Sequence, residues 1–250
     1  MTRRRSAFTL IELLVVVAVL ALLAALLIPA AASGLAAGRR AACTGHLGQM
    51  QAAYTMYLDD HAGRFFPWRE NRPGGTLWYW GLETGGGGTR SIDRSQARLA
   101  PYLGVGTVET CPSFPYGSTQ YKQKFDAKTY GYGINIFLLS DTPEARGAGV
   151  SSIAQVAHPA TTLAWGDAIQ INTFQAPASP QNPLLEEWYY LAARNGERPT
   201  YHFRHQARLN AVALDGSVRT YKPDRLLPLC DGQVGYLESR SDSALLTTSR

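Results

Sequence analysis

The sequence predicts an α+β protein in which one long N-terminal helix packs on a mainly antiparallel β-sheet, and three observations point to this class. Residues 13–38 contain no charged side chain. Beyond them, apolar side chains recur at three- and four-residue spacing as far as Leu58, which is the period of an amphipathic helix. After Gly63, short apolar runs alternate with glycine- and proline-rich segments, a pattern typical of strands and turns.

The first element is an apolar segment of membrane-spanning length. About 20 apolar residues cross the ~30 Å hydrocarbon layer of a bilayer, so the 23 mostly apolar residues 13–35 indicate a membrane helix. Arginines at residues 3–5 precede it. Because positive residues stay on the cytoplasmic side of the inner membrane, we expect a single-pass chain whose C-terminal domain is periplasmic or extracellular. That location permits disulfides.

The net charge does not indicate a nucleic-acid partner. The chain carries +5 at neutral pH, but three of the positive charges belong to the arginine cluster at residues 3–5. Without this cluster, 21 basic side chains face 19 acidic ones and the net charge is +2. A nucleic-acid-binding domain needs a clustered basic face, which is lacking here. We predict neither a nucleic-acid partner nor a cofactor.

Three interpretations compete for residues 1–35. The first is an ordinary signal peptide cleaved after Ala32, which would release an exported binding domain or enzyme. The second is an uncleaved anchor that displays such a domain. Neither explains Glu12, because a carboxylate at mid-membrane costs about 2.5–3.5 kcal/mol on insertion scales and usually has a function. The apolar run is also longer than the roughly 7–15 residues of a signal peptide.

The third interpretation rests on residues 7–16, AFTLIELLVV. This segment resembles the leader of type IV prepilins and type II secretion pseudopilins. The resemblance implies that a prepilin peptidase cleaves between Ala7 and Phe8 and that the new amino group of Phe8 is methylated. It also implies that Glu12 offsets the terminal amine of a neighbouring subunit during filament assembly. Pro29 lies where many pilins have a helix-kinking proline. The family usually has glycine where this chain has the small Ala7.

The remaining elements follow from periodicity and turn signals. The helix is predicted to continue through residues 36–62, with Cys43 on its apolar stripe and Gly63 as its stop. The predicted strands cover residues 77–80, 130–139, 161–165, 209–214 and 218–221. A short helix is predicted at 95–102 and a helical turn at 151–157. The predicted breaks between elements are residues 85–88, 142–149 and 176–183. The predicted parts are a leader (1–7), a membrane and assembly helix (8–35), its amphipathic continuation (36–62), a β-rich domain (63–238) and a flexible tail (239–250).

The later part of the chain resembles a bacterial pilin-like family with a prepilin leader and a C-terminal H-x9-DG motif. The motif is present as His205, nine intervening residues, and then Asp215 and Gly216, with Asn210 midway. The segments CPS from residue 111 and YGYGIN at 130–135 also resemble that family. The resemblance implies a pilin-like fold, while the motif itself says little about activity. We therefore predict a structural subunit of a pilus or secretion pseudopilus rather than an enzyme.

The histidine and aspartate of this motif are not expected to share a site. Asp215 and Gly216 predict a two-residue type I′ hairpin turn. Ten extended residues would separate His205 from Asp215 by about 33 Å. The two side chains meet only if the segment before Arg208 folds back.

The cysteines allow two interpretations. Cys43 and Cys111 either form a disulfide, which would stabilise the fold by about 3–4 kcal/mol, or are two buried free thiols. A nucleophilic set of Cys111, His205 and Asp167 is conceivable, but no sequence context marks this cysteine as a nucleophile. Cys230 is predicted to lie near a turn.

No metal site is predicted from the acidic residues. Asp59, Asp60, Asp141 and Glu144 are the candidates for a calcium loop. They lack the alternating Asp/Asn pattern that such loops require.

Overall fold

A computed structural model describes residues 9–86, 89–104, 108, 110–142, 150–192 and 198–237. The predicted leader with Ala7, the adjacent Phe8, Glu144 and the predicted tail lie outside the described residues, as do most of the predicted break at 142–149 and the end of the one at 85–88. The chain forms two compact units, Met1–Arg39 and Arg40–Arg250.

The described part of the first unit is the beginning of a long helix, α1 (Leu10–Asp60). Its large apolar side chains, such as Leu20 and Leu26, are exposed. The helix is long and apolar enough to cross a membrane. It remains helical through Pro29. A single N-terminal apolar helix is consistent with membrane anchoring.

The second unit begins within α1, which buries one apolar face there. The predicted stripe is confirmed, since its buried members are Cys43, Leu47, Met50, Tyr54, Tyr57 and Leu58. After Asp60, Ala62 and Gly63 adopt left-handed conformations with φ of 54° and 73°. The N–H of Gly63 donates to the carbonyl of Leu58 at 2.7 Å, the bond of a Schellman helix end. The predicted stop at Gly63 is confirmed.

The strands follow in chain order: β1 (Glu70–Arg72), β2 (Gly75–Trp78), β3 (Gly81–Gly86), β4 (Thr89–Asp93), β5 (Tyr132–Asn135), β6 (Leu163–Asp167), β7 (Gln170–Asn172), β8 (Leu184–Glu186), β9 (Tyr190–Leu191), β10 (Tyr201–His202), β11 (Leu209–Ala213), β12 (Val218–Tyr221), β13 (Arg225–Leu226) and β14 (Val234–Tyr236). Short 3-10 helices occur at Arg94–Gln96, Ile136–Leu138 and Ile153–Gln155.

These strands form four sheets. One has the order β1-β2-β3-β4, a second β12-β11-β6-β5-β9, a third β10-β14-β13, and β7 pairs with β8. All of these pairings are antiparallel except the parallel pairing of β5 with β9. The α+β prediction of a long N-terminal helix followed by mostly antiparallel sheets is therefore confirmed.

In this part of the fold, three predictions of strand, helix or break were wrong. The strand predicted at 130–139 ends at Asn135, and the 3-10 helix Ile136–Leu138 follows. The predicted helix at 95–102 is only the 3-10 turn Arg94–Gln96, which Asp93 caps and which ends at Ala97, where ψ is 144°. Pro101, which lacks an N–H, does not favour a continued helix. The predicted break at 85–88 begins too early, because β3 runs through Gly86 and Gly85 pairs with Arg90 of β4. The predicted helical turn at 151–157 is present as Ile153–Gln155.

The five-stranded sheet lies against the buried face of α1. The Tyr54 ring meets Trp165 of β6 edge to face at 5.6 Å, and the Tyr54 hydroxyl donates to the carbonyl of Leu138 at 2.8 Å. Gln51 donates to the carbonyl of Leu214, which follows β11, at 2.9 Å. This packing places the C-terminal end of β6, where Asp167 lies, inside the core.

Candidate functional site

The N-terminus of α1 is closed by a reciprocal capping box. The N–H of Glu12 donates to Thr9 Oγ1 at 3.2 Å. The N–H and the hydroxyl of Thr9 both donate to Glu12 Oε2 at 2.8 Å. A Thr-x-x-Glu box of this kind satisfies backbone donors that the first helical turn leaves free. This contribution of Glu12 was not predicted, although the Thr-x-x-Glu spacing is its usual signal.

A second group of polar side chains surrounds Asp167, which is fully buried at the end of β6. Its Oδ1 accepts hydrogen bonds from Arg204 Nη2 at 2.8 Å and from Arg204 Nε at 3.0 Å. Its Oδ2 accepts from the backbone N–H of Asn210 at 2.8 Å and lies 3.3 Å from His205 Nε2. Asp167 thus holds three residues of the segment that contains the H-x9-DG motif.

A tight reversal of the chain makes this grouping possible. Gln206 and Ala207 are both left-handed, with φ of 54° and 56°. The N–H of His205 donates to the carbonyl of Arg208 at 3.0 Å. The segment before Arg208 therefore does fold back, and it brings His205 to Asp167 rather than to Asp215.

The two buried cysteines adjoin this group. Cys111 Sγ lies 3.8 Å from His205 Nε2. Cys43 of α1 lies beside them. The sulfur atoms of the two cysteines and a ring nitrogen of His205 all lie within 4.8 Å of one another. Both cysteines are free thiols here. A disulfide between them stays a prediction.

The side chains of this cluster shift one another's pKa values. Burial opposes ionisation of Asp167, but Arg204 and His205 outweigh it and hold the pKa of Asp167 below its usual value. Burial likewise disfavours the charged form of His205, but contacts with Asp167 and Cys111 raise the pKa of His205 to about 9. The neighbouring side chain of Cys111, together with burial, raises the pKa of Cys43. Opposite charges in low dielectric stabilise each other in this way.

The geometry does not form a nucleophilic triad. In such a triad the nucleophile and the carboxylate contact different nitrogens of the histidine. Here Cys111 and Asp167 both face Nε2 of His205. Cys111 is also only 2% exposed, so a substrate has no access to its sulfur. The structure brings the three residues together, but not in a catalytic arrangement.

The other motif residues have separate roles. Asp215 is exposed, and its Oδ1 accepts from the N–H of Ser217 at 2.9 Å. Gly216 alone is left-handed, with φ of 89°, while the N–H of Gly216 donates to the carbonyl of Ala213 at 3.0 Å. The predicted two-residue type I′ turn is therefore wrong. The four residues 214–217 join β11 to β12, and Gly216 takes the left-handed position in this connection.

Asn210 links the cluster to the helix. Its Oδ1 accepts from the Thr220 hydroxyl at 3.1 Å. That hydroxyl accepts in turn from Arg40 Nη2 at 2.7 Å, near the start of the second unit. Asn210 therefore contacts Asp167 through its backbone and β12 through its side chain.

Sequence reasoning missed the importance of Asp167 and Arg204. The available signal was an acidic residue directly after the apolar run LAWG, because a buried carboxylate needs a charged partner. In the part of the chain that the structure describes, the calcium-loop candidates Asp59, Asp60 and Asp141 belong to no group of three with metal-ligand proximity. Among the described residues, the group with metal-ligand proximity is Cys43, Cys111 and His205. Cys230 lies elsewhere, in a turn, and its thiol donates to the carbonyl of Pro183 at 3.4 Å.

Comparison with known proteins matches only the N-terminus. A family model described as "Prokaryotic N-terminal methylation motif" matches residues 2–28. No curated protein and no solved structure matches the chain. The match supports a type IV pilin-like subunit, and it suggests a structural subunit rather than an enzyme. It does not extend to the H-x9-DG motif.

Proposed function

We propose that the chain is a structural subunit of a type IV pilus or of a type II secretion pseudopilus. A prepilin peptidase in the inner membrane cleaves it between Ala7 and Phe8, and the new amino group of Phe8 is methylated. The mature subunit joins other subunits through the apolar part of α1. The C-terminal domain is then carried outside the inner membrane.

One observation carries this proposal: the methylation motif matches residues 2–28, which contain Glu12 at the start of a membrane-length helix. Exposed apolar side chains of α1 offer a surface that can be covered first by lipid and then by other subunits. Glu12 accepts hydrogen bonds from the N–H and the hydroxyl of Thr9 in the first turn of that helix. A carboxylate at this position is suited to a cationic partner.

The proposal gives the second unit a structural role. In a buried polar cluster of this unit, Asp167 binds Arg204 and His205, and Cys111 is closed to solvent. Removing one partner from such a cluster destabilises a domain, which is the behaviour of a structural element. The alternative, an exported binding domain or enzyme released near Ala32, predicts a different N-terminus.

Substitutions of Ala7 test the processing step. Coexpression with a prepilin peptidase should convert the precursor into a form shorter by the first seven residues. Ala7→Gly, which restores the residue usual in the family, should be cleaved at least as fast. Ala7→Glu should accumulate as precursor, because a bulky charged side chain replaces a small one. The measurement is the fraction of mature chain in a pulse-chase experiment, resolved by mass.

The outcome also separates the alternatives. A chain released near Ala32 would be shortened equally in all three forms, since residue 7 is remote from that site. Equal cleavage of Ala7→Glu and the unaltered chain would therefore contradict processing between Ala7 and Phe8. An uncleaved anchor would keep its full mass with or without the peptidase.

A further inference from the structure

We propose that Cys43, Cys111 and His205 form a binding site for a zinc-class divalent transition metal, with the Asp167 carboxylate as the fourth donor. The sequence analysis predicted no metal. This inference goes beyond the proposed function, because the site belongs to the second unit and would be the same in a filament subunit or in an exported domain.

Two of the separations between the donor atoms are close to those around a tetrahedral ion. With metal–nitrogen and metal–oxygen distances near 2.0–2.1 Å and metal–sulfur near 2.3 Å, tetrahedral edges are about 3.3 Å for N–O and about 3.5 Å for N–S. His205 Nε2 lies 3.3 Å from Asp167 Oδ2 and 3.8 Å from Cys111 Sγ. Cys43 Sγ lies within 4.8 Å of both other ligand atoms of its set. Asp167 lies outside that set of three, so its Oδ2, which is close to the imidazole nitrogen, must move towards the sulfurs for the carboxylate to complete the site.

The donor types select the class of metal. Two thiolates and an imidazole suit zinc, and a carboxylate is an accepted fourth ligand. Calcium and magnesium prefer oxygen ligands only. All four side chains are buried, at 3% exposure or less, which leaves no open position for water or substrate. A closed four-ligand site of this kind is structural rather than catalytic.

The buried charges also balance around such an ion. Two thiolates and one carboxylate supply three negative charges, and Arg204, which contacts Asp167, supplies one positive charge. A divalent cation makes the sum zero, as a buried group of charges requires. Arg204 is held in turn by the carbonyl of Gly131 and by the Phe114 ring, so its charge stays in place.

Outer contacts keep the donors oriented. The N–H of Asn210 donates to the proposed carboxylate ligand, and Arg204 donates to the same carboxylate through Nε and Nη2. Holding the ligands in orientation through such outer contacts is characteristic of metal sites. The four donors come from α1, from the segment before β5, from β6 and from the turn before β11. One ion would therefore join four segments that are distant in sequence.

A disulfide between Cys43 and Cys111 is the competing fate of the two thiols. It would use both sulfurs and leave His205 and Asp167 with no ligand role. The metal explains why an imidazole and a carboxylate share the same pocket as the thiols, and we favour it for that reason.

Metal analysis of the full chain tests the site. The chain is extracted from membranes in mild detergent without chelator or reductant, dialysed against buffered zinc, and analysed by plasma mass spectrometry. We expect about one zinc per chain and, after exchange, a cobalt form with thiolate charge-transfer absorption. Cys43→Ser, Cys111→Ser and His205→Gln should each weaken zinc binding by at least about tenfold, since even outer-contact losses cost that much. Cys230→Ser is the matched control and should bind zinc normally.

The unaltered chain decides the question even if a variant fails to fold. Less than a tenth of an equivalent of zinc after dialysis, or a Cys43–Cys111 disulfide in unreduced peptides, would overturn the proposal. Equal loss of zinc in Cys230→Ser and Cys43→Ser would overturn it as well. Retention of zinc by His205→Gln at full affinity would remove the histidine from the site and with it the assignment.

Discussion

Asp167→Ala should lower the free energy of unfolding of the C-terminal domain by about 3–5 kcal/mol, the usual cost of removing one partner from a buried ion pair. The substitution leaves Arg204 buried without its carboxylate and removes the acceptor of the Asn210 N–H. It also removes the contact with His205 at the folded-back turn. A loss of this size is a large part of the 5–15 kcal/mol that stabilise a typical domain.

The measurement is urea unfolding of the detergent-solubilised full chain in the presence of a chelator, followed by tryptophan fluorescence. All five tryptophans lie in the second unit, so the signal reports on that unit. Asp215→Ala is the matched control from the same motif. Its side chain is exposed and accepts one hydrogen bond from Ser217, so the expected loss is about 1 kcal/mol or less. Equal midpoints for Asp167→Ala and the unaltered chain would contradict the assigned role of Asp167.

Glu12→Gln and Glu12→Ala should both leave cleavage intact and both prevent filament assembly. The glutamine side chain in the first variant can still accept hydrogen bonds from Thr9, so that variant keeps the capping box and loses only the negative charge. The alanine variant loses both the capping box and the negative charge. If the carboxylate pairs with the terminal amine of a neighbouring subunit, losing the pair costs about 2–5 kcal/mol, or at least roughly 30-fold in incorporation.

The two variants together separate charge from capping. The measurement is the share of mature subunit in sheared filaments relative to the membrane pool, with cleavage checked in the same samples. Normal incorporation of Glu12→Gln with failure of Glu12→Ala would assign Glu12 to helix capping alone. Normal incorporation of both would remove Glu12 from assembly.

Much of the fold was predictable because its signals are local. The α1 stripe through Leu47 and Tyr54 follows the helical period, and turn residues delimit the strands β5, β6, β11 and β12. Strands such as β1 (Glu70–Arg72) and β7 (Gln170–Asn172) were missed, because polar segments of three residues show no periodicity. Their pairing with neighbouring strands, rather than their composition, makes them strands.

The cluster around Asp167 was predictable only in part. Cys111, His205 and Asp167 were considered together as a nucleophilic set, but the places of Cys43 and Arg204 beside them were not predicted, because the members are far apart in the chain. Cys43, Cys111 and His205 are separated by 60 residues or more, so they show no metal-ligand spacing. The reversal that joins them uses Gln206 and Ala207 in left-handed conformations, without the glycine or asparagine that usually marks such a turn. The H-x9-DG motif indicated where the important residues lie, but the carboxylate that His205 meets is Asp167 rather than the aspartate of the motif.

The most direct test of the account is the native N-terminus of the chain from membranes or filaments, read by mass spectrometry. We predict N-methylphenylalanine at Phe8, directly followed by Thr9 and the start of α1. A terminus at Ser33 would instead assign residues 1–32 to an ordinary signal peptide and contradict the pilin-type account. An intact Met1 or Thr2 would contradict it too, in favour of an uncleaved anchor.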